Sequence, residues 1–399
     1  MKKVVVIGGG YGGLRAIEFL AKDPNLDIIL IDKNPYHYLQ TEAYGYIAGR
    51  FDIHEIAIDL EKWCNGFKKK VTFIYEEALA IDHNTHSIQT QTHNISFDYL
   101  IIATGAQTNF FSFIKGLREN SYGVKNLMRA YNFRKEFEHL IYQKLQNEDD
   151  REEINLAIGG AGLSGVEVAA EMAYVIENYS KTLGERARDI KIYLIDASET
   201  ILPGMSQFII SNTLQRLQAL NIKILTNAFI NSMDENSIYF KDGEQLKYHF
   251  MIFTGGIKAA VLNSSLNGEK NRLDQFIADS HLNIEGLKNI FAIGDCVEIR
   301  DRNKALLPPT AQTAEKSAEY VANSILRDLR GEKSKPFDAS MSGIFVALGG
   351  KYAVGELFSV IKVKGYKAYL LKKAITYAYF LGLHLRINAG YKNRIKNGF

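Results

Sequence analysis

Cysteine is scarce in this chain: of 399 residues only Cys64 and Cys296 carry a thiol, far apart and in neither a C-x-x-C nor a C-x4-C spacing. That weighs against a disulfide scaffold, a zinc site and a redox-active dithiol, and no metal is expected. The first apolar strand begins within three residues of Met1. No basic, apolar and cleavage regions of a secretory leader fit before it, so an intracellular protein is expected. Short-period repeats and low-complexity tracts are also missing. With 46% hydrophobic and 23% charged residues, disordered and collagen-like classes are excluded, and the length suits two or three domains with ample cores.

Acidic residues vanish at the C-terminal end. From Val360 to Phe399 there are nine basic residues and no Asp or Glu, which leaves 39 basic against 45 acidic side chains in the first 359 residues. An acidic body thus carries a basic tail.

What the chain has in plenty is glycine in two ordered turns. Val4-Val5-Val6-Ile7-Gly8-Gly9-Gly10-Tyr11-Gly12-Gly13 and Ile154-Asn155-Leu156-Ala157-Ile158-Gly159-Gly160-Ala161-Gly162-Leu163-Ser164-Gly165 each place a bare-backbone turn after an apolar strand and before a helix-compatible run. The next strand of each ends in an acid, Asp32 after Ile28-Ile29-Leu30-Ile31 and Asp196 after Ile192-Tyr193-Leu194-Ile195. Such turns let a pyrophosphate approach helix N–H groups while the carboxylate accepts from a ribose hydroxyl. A carboxylate there repels a 2′-phosphate, which favours NAD over NADP at the second turn. The fold class expected is α/β with two Rossmann-like dinucleotide-binding domains.

Between the fingerprints, Tyr99-Leu100-Ile101-Ile102-Ala103 runs into Thr104-Gly105, a small-residue turn at a carboxyl strand end, where open α/β sheets place ligands. A polar helical stretch from about Asn126 to Asp150 leads to the second unit, which runs from Ile154 to about Gly256. Asn289-Ile290-Phe291-Ala292-Ile293 then enters Gly294-Asp295, and Ala311 to Arg330 has helical periodicity. The division expected is 1–150 and 258–335 for the first nucleotide domain, 151–257 for the second inserted within it, and 336–399 for a C-terminal membrane-association region.

Thr104-Gly105-Ala106-Gln107-Thr108-Asn109-Phe110-Phe111, Thr254-Gly255-Gly256-Ile257-Lys258, Phe291-Ala292-Ile293-Gly294-Asp295-Cys296 and Thr310-Ala311-Gln312-Thr313-Ala314 together resemble the type II NADH dehydrogenases. These are single-subunit, non-proton-pumping NADH:quinone oxidoreductases among the two-dinucleotide-binding flavoproteins. The resemblance covers essentially the whole chain and implies a glutathione-reductase-like architecture. It also implies non-covalent FAD, with Gly8, Gly10 and Gly13 at the pyrophosphate and Asp32 at the adenosine ribose. Thr104 and Gly105 would lie close to the flavin, Gly294-Asp295 at the ribityl chain, and Ala311-Gln312 at the isoalloxazine. NADH would use Gly160, Gly162, Gly165 and Asp196. Glu167 matches a family glutamate near nicotinamide and flavin, against the alternative of a first-turn carboxylate that complements its helix dipole.

Two departures bear on the electron acceptor. Ala311-Gln312-Thr313-Ala314-Glu315-Lys316-Ser317 stands where the family reads A-Q-x-A-x-Q-Q, and His37-Tyr38-Leu39-Gln40-Thr41 replaces a Pro-Leu-Tyr type sequence. Lys316 either binds a quinone carbonyl or quinol anion or points to solvent. The resemblance implies menaquinone or ubiquinone as acceptor, and the catalytic residues expected in this chain are Glu167, Gln312 and Lys316. The rivals are a sulfide:quinone oxidoreductase, whose redox cysteine pair is missing, a soluble NADH-dependent reductase of another acceptor, and a flavoprotein that regulates partner binding.

The run Ala374-Ile375-Thr376-Tyr377-Ala378-Tyr379-Phe380-Leu381-Gly382-Leu383 is uncharged, but ten residues cannot cross a bilayer core that needs about twenty. Flanked by Lys367, Lys372, Lys373, Arg386, Lys392, Arg394 and Lys396, it reads as an amphipathic segment in the membrane interface, its basic residues meeting anionic headgroups. The expected place is peripheral, on the cytoplasmic face of the inner membrane. A homodimer interface would explain the same run. No nucleic-acid recognition module accompanies the basic charge, so no nucleic acid is expected as partner.

Overall fold

The computed structural model describes residues 1–67, 71–146, 152–184, 189–260, 262, 266, 268–302, 304–339, 341–358 and 360–396, without the side chains of 145, 180, 182, 183 and 391–396. The expected helix end at Asp150, the boundary at 150/151, Phe399 and the side chains of Lys392, Arg394 and Lys396 lie outside the described residues.

Apolar strands buried on both faces build a parallel sheet that helices cover on each side. In the first sheet Lys2–Ile7 lies at the centre, with Leu26–Asp32 and then Val71–Tyr75 on one side and Tyr99–Ile102 and then Ile290–Ala292 on the other, all parallel. The second sheet repeats this order. Ile154–Gly159 is central, flanked by Ile190–Ile195 and Lys223–Leu225 on one side and Phe250–Phe253 and Tyr122–Gly123 on the other. The second sheet is thus threaded between strands of the first, and both Rossmann-like units read from the fingerprints are present.

The long helices are α1 (Tyr11–Leu20), α2 (Leu127–Gln146), α3 (Leu163–Leu183), α4 (Gln207–Ala219), α5 (Ala311–Asp328) and α6 (Tyr366–Lys396). Helices α1 and α3 start directly after the two glycine turns, and α5 starts at Ala311 as the periodicity predicts. An antiparallel meander, Gly343–Ala347, Ala353–Leu357 and Ile361–Gly365, precedes α6.

Helix α6 lies against the first domain. A Cβ on Gly66 would stand 2.0 Å from the carbonyl oxygen of Arg386, and one on Gly390 would stand 2.8 Å from that of Asn65. Only glycine permits so close a backbone approach. Its polarity differs from the expectation of lysines facing headgroups. Lys372 and Lys373 turn inward to Glu167 and Glu42, and Arg386 lies over the Phe67 ring. Each of these lysines meets a carboxylate that is largely shielded from water and gives it a countercharge. Leu370, Leu371, Ile375, Tyr377, Leu381 and Leu385 are exposed instead, a stripe at helical spacing. No described helix is long and apolar enough to cross a membrane.

Candidate active site between three elements

The first fingerprint folds as a turn that only glycine can make. Gly8 takes φ +110°, and a Cβ on Gly13 would stand 1.8 Å from the Gly8 carbonyl oxygen, so α1 packs directly on the turn. The N–H of Gly8 donates to Ile31 O (2.8 Å) and that of Gly9 to Asp32 Oδ2 (2.6 Å), while Asp32 Oδ1 accepts from Asn34 N (2.7 Å). Burial pushes the Asp32 carboxyl up, against the N–H groups of Gly9 and Asn34, which pull it down.

The second fingerprint is built alike. Gly160 N donates to Ile195 O (2.7 Å), and Asp196 accepts from Ala161 N and from Ser198 N (2.7 Å). A Cβ on Gly165 would stand 1.8 Å from Gly160 O. The remaining glycine of each motif behaves differently. At Gly10 and at Gly162 a Cβ would meet nothing within 4 Å, so both helix N-termini open onto free space, and neither helix has an acid in its first turn. Two cradles that a methyl group would occupy fit two dinucleotide pyrophosphates.

A cavity of about 750 Å³ gathers most of the predicted residues: Gly8, Gly10, Asp32, Thr104, Gly105, Glu167, Gly294, Asp295, Ala311 and Gln312 all line it. Gly13 is not in its wall and instead lets α1 pack on the Gly8 turn. Gly160, Gly162, Gly165 and Asp196 are not in its wall, but Leu163 and Ser164 are, so the cavity reaches the start of α3 beside the second cradle.

Glu167 marks that meeting point. Its Oε1 accepts from Lys372 Nζ (3.0 Å) and from Ala347 N (2.9 Å). Burial pushes its carboxyl up, and Lys372 and the Ala347 N–H act against it. Because α3 begins at Leu163 with no acid in its first turn, dipole complementation does not account for Glu167. Beside it Glu42, also buried, accepts from Lys373 Nζ and Thr376 Oγ1, both at 3.0 Å.

The segment that carries the two replaced glutamine positions makes defined contacts. Gln312 Oε1 accepts from Ser342 N (2.8 Å), and Lys316 Nζ lies 3.4 Å from Ser342 Oγ. Lys316 is absent from the cavity wall, and its side chain reaches toward Ser342. Ser317 is buried and accepts from Gly294 N (3.2 Å), fixing the turn that carries Asp295. Other site features carry no motif in the sequence: Lys125 Nζ at 3.2 Å from Asp295 Oδ2, and Tyr379, whose hydroxyl lies 3.0 Å from His37 Nε2. Tyr11, inside the first fingerprint, packs against both rings of that pair. Both cysteines are buried, and burial pushes the Cys64 thiol up to about 12 and raises that of Cys296.

A family model described as pyridine nucleotide-disulphide oxidoreductase matches residues 2–318. The chain is 29% identical over 384 residues to a protein named type II NADH:quinone oxidoreductase from Staphylococcus epidermidis, covering 94% of each. It has the same identity and coverage with the protein of that name from Staphylococcus aureus strain NCTC 8325. Among solved structures it resembles NDH2 from Plasmodium falciparum in complex with NADH, with a TM-score of 0.84 at 21% identity over 99% of this chain and 98% of that one. The sulfide:quinone oxidoreductase of Aquifex aeolicus gives 0.79 at 21% identity, over 97% and 92%.

Proposed function

Because this chain belongs to the pyridine nucleotide-disulphide oxidoreductase family, we propose that it is an FAD-dependent NADH:quinone oxidoreductase that does not pump protons. One observation carries the reading: a single cavity runs from the first dinucleotide cradle past Gln312 to Glu167 at the threshold of the second. The curated relatives, similar along 94% of the chain, bear that activity in their name.

The chemistry a bound FAD supplies is uptake of a hydride from NADH and delivery of two electrons onward. The protein binds, orients and excludes water. Gly8, Gly10 and Asp32 hold the adenosine diphosphate end, Asp295 the sugar chain, and Thr104, Gly105, Gly294, Ala311 and Gln312 the ring system. Gly160, Gly162 and Gly165 receive NADH, and Asp196 accepts from its ribose and repels a 2′-phosphate. Glu167, its carboxyl pushed up by burial and pulled back by Lys372, is the group placed to take up and release a proton in the cavity. Lys316 contributes indirectly, holding Ser342 beside Gln312.

Menaquinone and ubiquinone both fit this reading as acceptor. The exposed stripe of α6 sinks into the membrane interface, leaving the enzyme peripheral on the cytoplasmic face of the inner membrane. A sulfide:quinone oxidoreductase is disfavoured because Cys64 and Cys296 are buried and both hold their protons. The test is NADH oxidation by purified protein with a short-chain quinone. Quinone-dependent turnover, much slower with NADPH, is the expected result; turnover indifferent to quinone refutes the reading.

A further inference from the structure

Four carboxylates line the cavity, those of Asp32, Glu167, Asp295 and Glu356, against two ammonium groups, Lys125 and Lys372. Lys372 is engaged by Glu167 at 3.0 Å. Lys125 lies 3.2 Å from Asp295 Oδ2, with the two side chains only 21% and 14% exposed. Its backbone is held from the first domain: Tyr38 Oη donates to Val124 O (3.2 Å) and Gln40 Nε2 to Lys125 O (3.4 Å). Lys125 is therefore a fixed cation beside Asp295 on a wall in which carboxylates outnumber ammonium groups.

A dinucleotide brings two more negative charges to that wall, at the open space over Gly10. Helix N–H groups and the dipole of α1 favour them, but Asp32 and Asp295 oppose them at low dielectric. An ammonium has three donors and a flexible stem, so contact with Asp295 leaves Lys125 two further donors. We propose that Lys125 is a positioning residue for the cofactor, sharing its charge between Asp295 and the FAD pyrophosphate. This rests on the FAD reading given above.

The test is a flavin titration of the full-length protein stripped of cofactor, with FAD and with riboflavin, which lacks the pyrophosphate. Lys125→Met should weaken FAD binding roughly 10- to 100-fold and leave riboflavin affinity unchanged, which also shows that the site is folded. Lys125→Arg should restore most of the FAD affinity. Equal weakening for both flavins, or none for either, overturns the proposal while the FAD reading stands. Should Lys125→Met not fold, the comparison passes to Lys125→Gln with the same two outcomes. If the wild-type protein binds no FAD, the FAD reading itself fails, and this proposal with it.

Discussion

Lys372 Nζ stands 3.0 Å from Glu167 Oε1, a contact that ties the C-terminal helix to the first turns of α3 across the candidate active site. Burial pulls the Lys372 ammonium down, but Glu167 and Glu42 outweigh it and raise it. Glu167 itself is pushed up by burial. A carboxyl raised on folding stabilises below its unfolded value, and that benefit is lost as pH rises through the folded one.

Removing the cation should make this visible. Lys372→Met leaves Glu167 unpaired, which costs roughly 3 kcal/mol when the carboxylate is charged and little when it is protonated. The melting temperature of the variant should therefore fall further below wild type as pH rises from about 5 to about 8. A constant difference would show that the charge of Glu167 is not what Lys372 balances.

The glycines of each fingerprint should separate by role. Gly13→Ala puts a methyl 1.8 Å from Gly8 O and should prevent folding of the first domain. Gly10→Ala meets no protein atom, so that variant should fold with a near wild-type melt yet retain no flavin after gel filtration. Gly162→Ala should keep its flavin and fail to be bleached by NADH.

On α6 the inward and outward faces predict opposite phenotypes. Leu381→Glu, on the exposed stripe, should weaken binding to anionic vesicles about 10-fold, the worth of one leucine side chain at an apolar boundary, with dye reduction intact. Lys373→Ala removes the partner of buried Glu42 and should lower the melting temperature without changing vesicle binding. Sedimentation with vesicles checks both.

Burial lowers His37 from 6.5 to about 4. A histidine depressed on folding stabilises above its unfolded value, and that contribution is lost as pH falls through the interval. Wild-type stability should thus drop between pH 6.5 and about 4, by at most roughly 3 kcal/mol from this group. His37→Gln should show a flatter profile. Denaturant midpoints at several pH values measure the difference.

Much of this site is legible in the sequence because its rules are local. A strand, a glycine turn and a helix follow one another in short order, and Asp32 ends and Asp196 directly follows the strand that comes next. Ala311 begins its helix where the periodicity says. Contacts between distant residues are not legible in this way. Lys125 and Asp295 are 170 residues apart, Lys372 and Glu167 205, and Tyr379 and His37 342; nothing in local spacing pairs them. The inward turn of Lys372 and Lys373 on α6 is hidden for the same reason. Periodicity displays two faces, but the buried Glu42 and Glu167 decide which one turns inward.

The most direct test of the account is anaerobic stopped-flow absorbance of the purified protein, mixed first with NADH and then with a short-chain menaquinone or ubiquinone analogue. Rapid bleaching of the flavin by NADH followed by rapid recovery on adding quinone is the predicted result. Bleaching without recovery would contradict the quinone as acceptor, and absence of bleaching would contradict the dinucleotide reading of the second fingerprint.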